Sequence, residues 1–242
     1  MKKLFNGILT GILQFFATIT LPKYARHHYH PETPYISQYV SIQPADLSPE
    51  SVIDDPQLIK AFGAKNAEEF NFWMWRDCGI ACVKMILESR HKALEKNMME
   101  LTEEGVSLGG YIVKDKAGNF VDKGWFHGSL VSLLQKYEVK AIKKKWQSGA
   151  TIAHDILRNK HVIASLYLPT RRTIAEDGSF APKQDATYTG HLVLITGVDI
   201  SKKKLLGFFI HDPRGLPHYQ SDTYITLEAF KKIFTHRTIV AI

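Results

Sequence analysis

Cys78 stands where a thiol could become a nucleophile. It follows Asp77, precedes Gly79 and opens the apolar run CGIACVKMIL. Backbone N–H groups and the macrodipole at a helix start favour a thiolate. Asp77 suits the N-cap position, and Gly79 would let a substrate approach the backbone closely. Cys82 lies one turn deeper and reads as a small buried side chain. These are the chain's 2 cysteines. One turn apart on a helix, they are poorly placed for an unstrained disulfide. C-x-x-x-C without a second ligand pair is also an incomplete metal site, so no metal or cofactor is expected.

A cysteine nucleophile needs a base, and the base needs an orienting group. Among 11 histidines, His191 is the informative one, because it follows Gly190 and opens the apolar strand LVLITGV. A second strand, Leu205–Ile210, follows across Asp199–Lys204. A hairpin turning at Ser201-Lys202 would set His191 opposite Asp212. Directly paired positions share a face, so Asp212 could hold one imidazole nitrogen and aim the other at a thiol. A shift by one residue would put His211 or Pro213 there instead. Asp212-Pro213-Arg214-Gly215 also reads as a turn opener.

The elements that must position these residues fall into two halves. Helical periodicity marks Cys78–Arg90, with Cys78, Ala81, Cys82, Met85 and Ile86 on one face, and again His127–Tyr137 and Thr151–Arg158. A short helix is expected within Leu58–Phe72. Beyond residue 160 the texture becomes strand-like: His161–Leu168, the two hairpin strands, Thr223–Thr226 and Thr238–Ile242, with a helix near Leu227–Phe234. Helices first and strands later predict an α+β fold with an antiparallel sheet in the second half.

DCGIACVKMIL, GHLVLITGVD and HDPRG, in that order, resemble the bacteriocin-processing (double-glycine leader) peptidase-like branch of the papain-like cysteine peptidases. The resemblance spans Trp73 to Ile242. It implies a papain-like fold with the nucleophile on a central helix, Cys78 as nucleophile, His191 as general base and acid, Asp212 as orienter, and a peptide or protein substrate. That family places a Gln about six residues before its cysteine to help bind the oxyanion; here the position holds Phe72. Asn71 or a Trp indole is the candidate replacement, beside the Cys78 N–H. Trp73 and Trp75 otherwise read as packing beside the helix. Two other readings fit the same residues: an acyltransferase or amidase passing the acyl group to an amine, and a peptide-binding module without turnover.

At 242 residues, 45% hydrophobic and 23% charged, the chain has the composition of a folded domain. Its +7 charge and pI of 9.2 are spread thinly, through Lys143–Lys145, Lys202–Lys204 and Arg171-Arg172, rather than in a nucleic-acid stripe. Both lysine triplets are expected in solvated turns or strand ends. Residues 1–34 read as an apolar segment and linker, and 35–242 as the peptidase-like domain. Leu4–Pro22 carries no charge, which suits an export signal or anchor, an interfacial amphipathic helix, or a helix packed on the body. A membrane-associated or extracytoplasmic location is favoured over a cytoplasmic one. His27, His28 and His30 fall in the supposed linker, where solvation is expected rather than metal binding. There is no Walker motif and no multi-span region, so any transporter partner is expected to be a separate protein.

Overall fold

The computed structural model describes residues 20–28, 32–41, 52–90, 94–111, 118, 122–169, 172–174, 180–182, 187–215 and 220–242. Most of the apolar Leu4–Pro22 segment lies outside them. Among the described residues, no helix is long and apolar enough to cross a membrane.

Among the described residues, seven helices and a seven-stranded antiparallel sheet form an α+β fold. The helices are α1 (Pro56–Phe62), α2 (Ala67–Met74), α3 (Cys78–Arg90), α4 (Met98–Ser107), α5 (His127–Lys136), α6 (Gly149–Leu157) and α7 (Leu227–Ile233). The strands are β1 (Tyr24–His28), β2 (Ala141–Lys145), β3 (His161–Pro169), β6 (Tyr188–Ser201), β7 (Lys204–His211), β8 (Thr223–Thr226) and β9 (Phe234–Ala241); β4 (Arg172–Ile174) and β5 (Phe180–Pro182) pair separately. The sheet order is β2-β9-β3-β6-β7-β8, with β1 added alongside the second half of β6.

Strand periodicity divides the core. Ile163, Leu192, Leu194 and Ile239 point to one face, where α3, α4 and α5 pack. Val162, Ala164, Val193 and Ile195 point to the other, against α6 and α7. α3 is enclosed on all sides: every residue from Gly79 to Val83 and from Met85 to Leu87 is buried. Such a helix is fixed by packing around its whole circumference.

Several sequence expectations need correction. The short helix expected within Leu58–Phe72 is two helices, because Gly63 adopts φ 91 at the end of α1 and Asn66 caps α2. The linker reading of Arg26–Pro34 gives way at its start to β1, which pairs with Gly197–Ser201; His27 and His28 are strand residues and His30 lies outside the described residues. Leu21 and Ala25 are buried in the α6/α7 core, and the Thr20 hydroxyl reaches His154 at 2.9 Å. Lys143–Lys145, by contrast, form the end of edge strand β2, one of the two places expected for them.

Candidate active site

α2 ends at Met74, and a tight turn leads into α3. The N–H groups of Arg76 and Asp77 both donate to the Trp73 carbonyl, at 2.7 and 2.9 Å. The Asp77 carbonyl then accepts from Ala81 N–H at 2.8 Å, which places Asp77 where a cap was expected. Its side chain does something else. The carboxyl is fully buried and accepts from the Thr102 hydroxyl at 2.6 Å, while its other oxygen has no hydrogen-bond partner. Burial pushes this acid up to about 8, only partly offset by Thr102, Trp125 and Arg76. Asp77 is therefore largely protonated at neutral pH.

Cys78 is half-buried at the start of α3, and Cys82 is fully buried. The Cys82 thiol points to the Leu192 carbonyl at 3.6 Å, and burial raises it well above the ordinary thiol range. Gly79 serves packing, not substrate approach. A Cβ there would come within 3.1 to 3.2 Å of Leu130, Leu192 and Trp125.

The structure brings His191 and Asp212 together beside Cys78. His191 is only 4% exposed, and its Nε2 lies 2.6 Å from Asp212 Oδ1. The Cys78 thiol is near enough to act on the ring electrostatically. With Nε2 committed to the acid, Nδ1 is the nitrogen left for a thiol. Burial alone would lower the imidazole, but the Asp212 charge and bond, with those of Cys78, raise it to about 9.

The approach is not the direct pairing expected. The hairpin turns at Lys202-Lys203, both with positive φ, so Ser201 pairs with Lys204. Two register shifts follow, and the last pair is Leu194 with His211. Asp212 lies just past the ladder and meets His191 diagonally. A type I′ turn wants φ > 0 at both centres, usually Asn-Gly; two lysines gave no sign of it. Asp212 is fixed by its own turn, its Oδ1 accepting from Arg214 N–H and its carbonyl from Gly215 N–H, both at 2.9 Å.

Asn71 is not free to serve this site. Its amide oxygen accepts from Ile53 N–H at 2.8 Å, and its nitrogen donates to the Ile53 and Ala67 carbonyls at 2.7 and 2.6 Å. It ties residues before α1 to α2, as a short amide bonding local backbone often does.

The residue overlooked in the sequence is Gln38. It lies in an irregular strap, residues 32–41, between the end of α2 and the Asp212 turn. Gln38 is 1% exposed; its backbone N–H donates to the Pro213 carbonyl at 3.0 Å and its Nε2 to the Met74 carbonyl at 2.7 Å. Among the described residues, its Oε1 has no hydrogen-bond partner. The Tyr35 hydroxyl donates to the Asp212 carbonyl at 3.1 Å. His211 accepts from Asp222 N–H on Nδ1, so its Nε2–H is the donor to the Thr33 carbonyl at 3.1 Å. The only sequence hint was a glutamine between apolar residues in PYISQYV.

Aromatic side chains complete the surroundings. Trp73 packs in the core against Tyr111 and Trp125. Trp75 is half-buried, with Tyr39 edge-on at 5.3 Å and the Arg214 guanidinium 5.5 Å above its ring. Among the described residues, no group of three His, Cys, Asp or Glu could hold a metal ion.

The profile of the Peptidase_C39 like family matches residues 62–241. This chain belongs to that family. Family membership supports a peptidase, and the α+β architecture agrees with it. A solved structure from Bacillus anthracis, proposed to be a C39-like peptidase, is similar at 14% identity and a TM-score of 0.49, over 87% of this chain and 94% of that one. Comparison with curated proteins finds no match.

Proposed function

We propose that this C39-like protein is a cysteine peptidase that cuts a peptide bond through an acyl-enzyme on Cys78. The observation that carries the reading is the buried His191–Asp212 pair at 2.6 Å, whose imidazole Cys78 also influences. An imidazole raised to about 9 is protonated at neutral pH and can stand beside a thiolate as an ion pair. The thiolate attacks the substrate carbonyl carbon, and the C=O π electrons move to oxygen. The imidazolium gives its proton to the leaving amine as the C–N bond breaks. Neutral His191 then takes a proton from water; the hydroxide attacks the thioester, releasing the carboxylic acid and restoring the thiolate–imidazolium pair.

The oxyanion needs two donors. We assign one to the Cys78 N–H and the other to Gln38. Its amide nitrogen carries two hydrogens, and the Met74 carbonyl takes one. Gln38 thus fills the role that Phe72 left vacant, which weakens the reading of a non-catalytic binding module.

Mass spectrometry with an electrophilic peptide library tests competence and preference together. Adducts are expected on Cys78 and not on native Cys82, and the unmodified library should yield free carboxylic acids at the cut ends. Equal labelling of both thiols would remove the activated nucleophile. Amide-exchanged rather than hydrolysed products would assign the protein to acyl transfer.

A further inference from the structure

Three cations sit at the active-site end of the sheet in an arrangement that folding alone disfavours. In β2, Lys143 pairs with Ile239 and Lys145 pairs directly with Arg237 of β9. Paired residues share a face, and Ile239 belongs to the core beneath α3 and α5. Lys143, Lys145 and Arg237 therefore lie on the same face as the nucleophile helix. All three are exposed. Like charges directly opposite one another repel. Lys143 is also held against the first turn of α5, where a Cβ on Gly128 would lie 3.6 Å from its ammonium. A helix N-terminus favours anions over cations. This one has neither a side-chain cap nor an acidic residue in its first turn. The His127 imidazole, in that turn, is lowered by burial and then by Arg237 and Lys143, and among the described residues its buried Nε2 has no hydrogen-bond partner.

Lysines on an edge strand ordinarily guard against aggregation. That accounts for neither Arg237, on an interior strand, nor the absence of carboxylates. Among the described residues, no acid pairs with Lys143, Lys145 or Arg237, whereas Lys144, on the opposite face, meets Asp155 at 2.6 Å. Local rules broken together without compensation mark functional surfaces.

The register fixes how far this patch lies from the candidate active site. His191 pairs with Leu166, which also pairs with Phe234 at the start of β9. Lys145 and Arg237 lie at that same end of the sheet. Across the sheet, from β6 to β2 is three inter-strand steps of about 4.8 Å, roughly 14 Å, which an extended peptide spans in about four residues. On the nucleophile's own face the link is the first turn of α5: a Cβ on Gly79, beside Cys78, would lie 3.1 Å from Leu130, and one on Gly128 3.6 Å from the Lys143 ammonium.

We propose that Lys143, Lys145 and Arg237 bind an acidic stretch of the peptide substrate about four residues from the bond cut at Cys78. The proposal rests on the peptidase reading for its substrate, but binding can be measured without cleavage. Full-length Cys78→Ala protein is titrated with fluorescein-labelled oligoglutamate and oligoserine peptides and with single-stranded DNA, read by anisotropy. The titrations are repeated after Lys143→Ser, Lys145→Ser and Arg237→Ser are added together. Oligoglutamate should bind in preference to oligoserine, weaken with salt and lose about tenfold in affinity in the triple variant. In parallel, the catalytically intact protein, with and without the three substitutions, digests a peptide library. Asp and Glu should be enriched three to five residues to one side of the cut, and the enrichment should vanish in the triple variant while cleavage of neutral peptides persists.

If nothing is cut but the binding contrast holds, the peptidase reading fails and the acidic-peptide surface stands. If cleavage occurs without acidic preference and oligoglutamate binds no better than oligoserine, the surface proposal is overturned. Tighter binding of DNA than of oligoglutamate, lost in the triple variant, also overturns it and makes the patch a nucleic-acid contact.

Discussion

The motif residues and the strap converge on one site but are held by different means. Cys78 and His191 ride on regular elements, an enclosed helix and a central strand, and Asp212 follows directly from a third. The strap has no ladder of its own. Its placement rests on the Tyr39 ring buried in the core and on individual bonds from Thr33, Tyr35 and Gln38 to β7, the Asp212 turn and the end of α2. A residue on a packed element is over-determined by many contacts; one on a strap is placed by one buried ring and a few bonds, each removable alone. On the proposed reading, the site has a rigid part that sets the chemistry and a tethered part that serves it.

The largest effect should come from the rigid part. Asp212→Asn keeps an oxygen for the Arg214 N–H but loses the charge that holds His191 protonated. Turnover should fall by about 10⁴, with the melting temperature little changed. The wild-type pH profile should decline on its alkaline side as pH rises through about 9, where the imidazolium loses the proton owed to the leaving amine. Asp212→Asn removes a raising influence, so any residual activity should decline at lower pH. A variant that keeps full turnover and the same alkaline limb would detach Asp212 from the mechanism.

Next in size is the tethered donor. Gln38→Ala should lower kcat by about 10²–10³ with a smaller change in KM, because the second oxyanion donor acts mainly in the transition state. Gln38→Glu removes the donating hydrogens at nearly constant shape and should lower kcat similarly. Unchanged kcat in both variants would confine Gln38 to bracing the Met74 turn.

The same contrast explains what could be read from the sequence. α3 announced itself because an apolar repeat at three and four places a thiol at its first residue. His191 was legible because an apolar strand begins beside it. Asp212 was found through a register that was itself wrong, since the Lys202-Lys203 turn lacks the usual residues and two shifts follow; the answer survived because the acid sits near the ladder's end. Gln38 has no period to betray it and stands forty residues from Cys78. Asn71 had the right chemistry near the right place, but its amide was already spent on the backbone of Ile53 and Ala67. β1 was hidden by a histidine-rich composition that reads as polar, although Ala25 is buried and the strand is held by its partner β6.

A third effect is on stability rather than rate. Asp77 is raised to about 8 in the fold, against an ordinary carboxyl value in the unfolded chain. The folded state then binds the extra proton, so its contribution is fully present below about pH 4 and is lost as pH rises through about 8. Asp77→Asn, which cannot ionise, should remove this pH dependence and raise the melting temperature relative to wild type most at pH 9. If the two proteins melt in parallel from pH 5 to pH 9, Asp77 is ionised in the fold and the Thr102 bond is that of a carboxylate.

The smallest effect tests how few bonds the strap needs. Tyr35→Phe deletes only the hydroxyl that donates to the Asp212 carbonyl and leaves the ring edge-on to His211, 5.7 Å away. One neutral hydrogen bond contributes about 1 kcal/mol, which in a chain of this size shifts melting by about 2–4 °C. If the strap's remaining bonds hold Gln38 in place, kcat should fall only a few-fold. The decisive comparison is the double variant Tyr35→Phe/Gln38→Ala. If Tyr35 acts on turnover by placing the strap, removing its hydroxyl should cost nothing further once the Gln38 amide is gone, although the loss in melting temperature should persist. Fully additive losses in kcat would show that Tyr35 acts through the Asp212 turn instead, and the hydroxyl would then belong with the rigid part of the site.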